Sequence, residues 1–139
     1  MELGLKDKVA LITGASRGIG AASAKALAHH GATVVINYIK NKDKADELLD
    51  EIKKAGGKGM VCQADVRDQD AVNDMVESTV NEFGKIDVLV NNANINFPIR
   101  PFIELTWEQI ETKILGEMKA LYNQVKNFLS SAQRLPVCV

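Results

Sequence analysis

Four times along the chain, a short and nearly all-apolar run is followed by a stretch whose apolar residues recur at helical spacing. A run that is apolar at consecutive positions, rather than at alternate ones, suits a strand covered on both faces, the condition of a parallel sheet. Lys8–Thr13 is the first run, and residues 19–30 follow with Ala22, Ala26 and Leu27 in helical register before Gly31. Residues 32–38 are the second strand, and 43–55 the second helix, with Ala45, Leu48, Leu49 and Ile52 on one face before Gly56 and Gly57. Residues 58–64 and 68–83 make the third pair, the helix carrying Ala71, Val72, Met75, Val76 and Val80 and ending at Gly84. Ile86–Val90 is the fourth strand. Residues 91–105 are irregular, because Pro98 and Pro101 exclude a continuous helix. Thr106, with Gln109 three residues on, forms a capping box for a last helix reaching about Ser131, and residues 134–139 fit neither pattern well. Right-handed crossovers then place helices on both faces of one sheet.

Composition fits that architecture and narrows the partners. Hydrophobic residues make up 46% and charged residues 25% of 139, which is the range of a globular protein, and no linker or repeat divides the chain. One domain over residues 1–139 is expected. Seventeen basic residues nearly balance eighteen acidic ones, so no broad field is available for nucleic acid or an anionic membrane. Any anion must be held locally. Cys62 and Cys138 lack the spacing of a metal site or a disulfide framework. The N-terminus lacks a secretory apolar segment, and no run reaches the roughly 20 apolar residues of a membrane span, so a cytoplasmic location is expected.

The chemistry-bearing segment is Thr13-Gly14-Ala15-Ser16-Arg17-Gly18-Ile19-Gly20, between the first strand and the first helix. There a phosphate would meet unpaired backbone N–H groups and the positive end of a helix dipole. Gly14 permits the tight turn, Gly18 lets a pyrophosphate approach the backbone, and Gly20 allows close packing of the helix. The spacing departs from G-x-G-x-x-G, and no Gly-Lys-Ser/Thr follows, as a P-loop would require.

The pattern T-G-x-x-x-G-x-G resembles that of the short-chain dehydrogenase/reductase family. Asn91-Asn92-Ala93-Asn94, after the fourth strand, is similar to the family's N-N-A-G motif, and Asp65 matches its aspartate after the third strand. The closest flavour is that of 3-oxoacyl-carrier-protein reductases and glucose dehydrogenases. The resemblance implies a Rossmann-type, doubly wound parallel α/β sheet, here truncated after about four βα units. It also implies a nicotinamide dinucleotide cofactor, with hydride transfer to or from a small carbonyl or alcohol substrate. Carried over, Ser16 and Ile19 contact the pyrophosphate, Asp65 and Val66 the adenine, and Asn92 and Ala93 the cofactor ribose, while Asn91 stabilises the strand end. Asn94 replaces the family's glycine. Because asparagine is the commonest non-glycine residue at positive φ, the turn is expected to be kept.

NADP is favoured over NAD. An NAD site places an acid at the end of the second strand, where Asn37 and Tyr38 stand here, and Arg17 offers a guanidinium to a 2′-phosphate, with Lys40 and Lys42 as weaker charges. The family's serine and Tyr-x-x-x-Lys lie beyond a fifth strand, so no catalytic residue is assigned and the chain alone is expected to be inactive. Tyr122 and Lys126 have the same spacing but sit inside the last helix, and that helix also lacks the family's asparagine in its first turns. An alternative is a non-catalytic NADP-binding module or interaction subunit. Ile110, Ile114, Leu115, Met118, Leu121, Val125 and Phe128 give that helix more apolar surface than one covered face requires, so a homo-oligomer is expected.

Overall fold

A computed structural model describes residues 3–132. Strands β1 (Val9–Ile12), β2 (Thr33–Tyr38), β3 (Lys58–Gln63) and β4 (Val88–Val90) form one parallel sheet in the order β3-β2-β1-β4. Helices α1 (Gly18–His29), α2 (Lys42–Lys54), α3 (Gln69–Phe83) and α4 (Trp107–Ala132) alternate with them, and a single 3-10 turn, Phe102–Glu104, interrupts the loop before α4. This is the doubly wound α/β architecture.

The consecutive apolar residues of the strands divide by parity between two cores. Ala10, Ile12, Val34 and Ile36 face α1 and α2, meeting Ala24, Ala28, Ala45, Leu48, Leu49 and Ile52. Val9, Leu11 and Val35 face α3 and α4, meeting Val72, Met75, Val76 and Ala120. Both faces are therefore covered, which is why no alternation appears in the sequence of β1 or β2. Asp68 caps α3 by accepting from the N–H groups of Asp70 and Ala71. Thr106 and Gln109 cap α4 reciprocally, each side-chain oxygen accepting from the other residue's backbone N–H at 3.3 and 3.0 Å.

Three details differ from the sequence reading. Helix α1 buries Gly20, Ala24 and Ala28 and exposes Ala22 and Ala26. Alanine carries little directional signal, and the phase is set by Gly20, which is pressed against the loop before it. Strand β4 is only three residues long and half-buried, because it pairs with β1 alone among the described residues. On α4, Ile110, Val125 and Phe128 are not among the exposed residues, and Phe128 packs against the second core, whereas Ile114, Leu115, Met118 and Leu121 are exposed by 40–62%. The buried face of α4 is carried instead by Ala120, Asn123 and Gln124. Residues 134–139 lie outside the described range.

The edge strand β4 is secured at its start by Asp87. Its N–H donates to Val9 O and its carboxylate accepts from Val9 N, both at 2.8 Å, with Lys85 and Lys8 at 3.1 and 3.5 Å. Burial alone would raise this carboxyl, but the Val9 N–H and the two ammonium groups outweigh it and hold its pKa below the ordinary value. A depressed folded-state pKa stabilises the fold above the ordinary carboxylate pKa, and that contribution is lost as pH falls through the folded value. Asp87→Asn is therefore expected to cost about 1 kcal/mol at neutral pH. It should also flatten the loss of stability on acidification below about pH 4, as read by urea denaturation at several pH values.

Candidate functional site

The chain runs outward from β1 to β2 and β3 and then returns to the other side of β1 as β4, so the order of the parallel strands reverses between β1 and β4. In open α/β sheets the crevice beyond the carboxyl ends of such strands is where ligands bind. The loops at residues 13–17 and 91–98 both emerge there.

Thr13 joins these loops. It is fully buried; its N–H and its hydroxyl donate to Val90 O at 3.0 and 3.3 Å, and its hydroxyl oxygen accepts from the N–H groups of Asn92 and Ala93, both at 3.1 Å. The Asn92 amide returns the contact, donating to Thr13 O at 2.9 Å and Gly14 O at 3.1 Å. The brace expected of Asn91 thus falls to Asn92, whose amide nitrogen serves two backbone carbonyls, while Asn91 is exposed at the crevice. The two loops approach so closely that a Cβ on Gly14, whose φ is +61°, would lie 2.7 Å from Ala93 Cα. A Cβ on Gly20 would lie 2.5 Å from the Asn92 amide nitrogen and 2.8 Å from Ala15 Cα, so Gly20 serves contact with the loops.

Beyond this tight junction the loop opens. Gly18 has φ +57°, and a Cβ at that position would meet no atom within 4 Å. Ile19 is 80% exposed, and Arg17 is exposed without an ion pair among the described residues. Arg17 is also the N-cap of α1 and makes no side-chain capping bond, and Ser16 is half-buried beside it. The first turn of α1 therefore meets the crevice with no side-chain cap of its own.

Asn37 and Tyr38 do not face the crevice: they are 2% and 6% exposed. Asn37 accepts from Gly14 N at 3.0 Å and donates to Ala64 O at 3.1 Å and Cys62 O at 3.3 Å, and its backbone carbonyl accepts from Ala15 N at 2.8 Å. Where surface contacts would be expected at the end of β2, both residues are buried, on opposite faces of the sheet: Asn37 supports the glycine loop from within, and Tyr38 packs in the first core. The exposed residues at that end are Ile39, Lys40 and Asn41.

Asp65 is half-buried and accepts from Arg67 three times, from Nε at 3.0 Å, Nη2 at 2.6 Å and the backbone N–H at 2.9 Å. The Arg67 side chain is the main cause of its lowered pKa, against an opposing effect of burial. Val66 is buried, and its carbonyl accepts from Asn123 Nδ2 at 3.3 Å, tying α4 to this turn. Asn94 is not in a left-handed turn, for among the described residues Asp7 is the one non-glycine at positive φ. Its side chain is held instead by Lys113 Nζ.

Lys113 and Glu117 form a clamp that the motifs of the sequence do not point to. Lys113 Nζ reaches Asn94, Ile95 O and Glu117, while Glu117 accepts from Ile95 N at 2.9 Å, so both backbone polar groups of Ile95 are fastened to α4. Their i,i+4 spacing is the one signal that could have found them. A groove beside the clamp is lined by Ile95, Phe97 and Pro98 on one side and Gln109, Thr112 and Lys113 on the other. Tyr122 and Lys126 lie on α4 with the ammonium 5.5 Å from the ring centroid, a cation–π placement, and Tyr122 is 60% exposed.

A glycine-rich loop opening a helix at the switch point of a parallel sheet defines a Rossmann-type nucleotide-binding fold. Residues 8–134 match the family model described as short chain dehydrogenase, and the chain belongs to that family. It is 52% identical over 120 residues to an uncharacterized oxidoreductase of Methylorubrum extorquens, covering 84% of this chain and 48% of that protein. It is 48% identical over 114 residues to a 3-oxoacyl-(acyl-carrier-protein) reductase of Staphylococcus epidermidis, covering 79% and 46%. A solved short chain dehydrogenase from Burkholderia cenocepacia, in complex with NADP, superposes with a TM-score of 0.81 at 34% identity, covering 96% of this chain and 60% of that one. The chain thus spans about half the length of these two curated relatives. No helix among the described residues is long and apolar enough to cross a membrane.

Removing the Asn92 amide leaves Thr13 O and Gly14 O without their donor. Asn92→Ala is expected to lower stability by about 1–3 kcal/mol, measured as a fall in the urea midpoint at unchanged m-value.

Proposed function

We propose that this chain is the NADP-binding part of an oxidoreductase that moves a hydride between NADP(H) and a carbonyl or alcohol substrate. The observation that carries the proposal is the loop from Gly14 to Gly20, rigid at Thr13 and Gly14 and open at Gly18, at the uncapped start of α1. The opening fits a pyrophosphate, because a close approach to the backbone needs the space left where Gly18 has no side chain. In this reading Gly18, Ile19 and Ser16 hold the pyrophosphate and Gly20 keeps the helix start in place. Arg17 pairs the 2′-phosphate, Asp65 and Val66 border the adenine, and Asn91, Asn92 and Ala93 border the ribose. When bound, the dinucleotide supplies or accepts the hydride. The substrate class follows the 3-oxoacyl reductase among the relatives, and the groove between residues 95–98 and the start of α4 lies beside the loops that would receive it.

No residue of 1–139 is assigned the proton transfer. Tyr122 is largely exposed on α4, with the Lys126 ammonium over its ring, so Tyr122→Phe should leave NADPH affinity unchanged. Calorimetry should show NADPH binding more tightly than NADH, by about tenfold or more, the scale of one charge-assisted phosphate contact, with Arg17→Ala closing most of that gap. Equal affinities in the parent protein, or a preference for NADH, would sink the proposal.

Assembly follows from α4. Ile114, Leu115, Met118 and Leu121 are exposed on one stretch of helix, more apolar surface than a lone protomer usually leaves in water. The reading is a homodimer through this face. Sedimentation should find a concentration-dependent dimer that Leu121→Glu converts to monomer, and a monomer at tens of micromolar in the parent protein would contradict it.

A further inference from the structure

We infer that Asn37 is a positioning residue for the glycine loop, and that the bonds by which it sets the loop also bar a carboxylate from its place at the end of β2. The inference rests on the proposed reading of that loop as the dinucleotide cradle, and it goes further in locating what gives the cradle its shape.

The glycines of the loop permit its conformation without selecting it. Selection needs a fixed partner, and the Asn37 side chain, 2% exposed, meets Gly14 on one side and the carbonyls of Cys62 and Ala64 on the other, with a longer contact of 3.5 Å to Tyr38 O. Its Oδ1 accepts from Gly14 N at 3.0 Å, at the residue where the chain leaves β1 at φ +61°. Its Nδ2 donates to Ala64 O at 3.1 Å and Cys62 O at 3.3 Å, beyond and within the end of β3. Only a primary amide offers one acceptor and two donors on a single small plane. The orientation is unambiguous, since the flipped amide would set Nδ2 against the Gly14 N–H and Oδ1 against two carbonyl oxygens.

Aspartate has the same shape and the wrong polarity. Ionised, it could still accept from Gly14 N, but its other oxygen would face the carbonyls of Cys62 and Ala64 without a proton between them. A buried carboxyl in that setting takes up a proton, which restores one of the two donors. An acid here therefore cannot turn outward to a ribose hydroxyl without abandoning the loop, so introducing one does not convert the protein to NADH. The choice between dinucleotides is left to exposed groups such as Arg17 and Lys40.

The test compares Asn37→Asp and Asn37→Ser with the parent protein in two measurements, amide hydrogen exchange across residues 14–20 and titration with NADPH and NADH. At about pH 8, Asn37→Asp should speed exchange in residues 14–20 by about tenfold or more relative to α2 and should weaken both dinucleotides by a similar factor. Lowering the pH to about 5.5 should recover part of both losses as the substituted carboxyl takes up a proton, a dependence that plain destabilisation does not produce. Asn37→Ser, too short to span all three partners, should show the same exchange increase without the pH recovery, and it serves if the acid variant does not fold at the higher pH. Unchanged exchange at residues 14–20 in the variants, or tighter NADH binding by Asn37→Asp than by the parent, overturns the inference. If the parent protein binds neither dinucleotide, the proposed function fails, while the exchange measurement still decides the role of Asn37.

Discussion

The hydroxyl of Thr13 is the point from which the geometry of the crevice is set. It donates to Val90 O and accepts from two consecutive N–H groups, Asn92 and Ala93, so one buried oxygen fixes the ends of both β1 and β4. Around it, Asn92 holds the carbonyls of Thr13 and Gly14, and Asn37 holds the Gly14 N–H from the opposite side. Backbone groups at strand ends lose their ladder partners, and inside a protein each unpaired one is costly. Here that cost is avoided by three short polar side chains. Their joint effect is a loop rigid over Thr13–Ala15 that opens only where Gly18 begins α1.

This arrangement separates support from contact. Thr13, Asn37 and Asn92 hold the loop from within, and the residues that face outward, Arg17, Ile19 and Lys40, are left to meet a ligand. The same division recurs on α4. Its buried face ties the turn after β3 through Asn123, its first half fastens Ile95 through Lys113 and Glu117, and its outer face carries apolar residues with nothing to cover them within the described protomer. Glu117, whose pKa burial would raise, is held low by Lys113 and the Ile95 N–H, so its carboxylate stays ionised at neutral pH.

Much of this is legible in the chain. Strand and helix order, the Thr106–Gln109 cap and the buried face of α2 follow directly from periodicity, because each rests on several residues repeating one spacing. The position of the glycine loop is legible for the same reason, coming as it does between a strand and a helix. Side-chain direction at the end of β2 is not. Asn37 is a polar residue at a strand's carboxyl end and reads as a surface contact, yet the pleat turns it inward, and only the sheet's neighbours show the three partners waiting there. Asn91 and Asn92 are identical in type and adjacent, so their roles are divided only by the register of β4 against β1. The phase of α1 escapes hydrophobicity because its inward positions are glycine and alanine, barely distinguished from its exposed alanines. Asn94 reads as a glycine substitute, whereas Lys113, nineteen residues away, supplies the partner that settles it.

The central claim is that a backbone cradle, already shaped in the free protein, receives the dinucleotide at the start of α1. A titration of the isotope-labelled protein with NADPH, followed by amide NMR shifts residue by residue, tests it most directly. The account predicts the largest shifts at Ser16–Gly20, with smaller ones at Asn92 and Ala93 and little change in β2 or β3, since the support is in place before binding. Shifts confined to residues 95–113, or a rearrangement spread through the sheet, would contradict it.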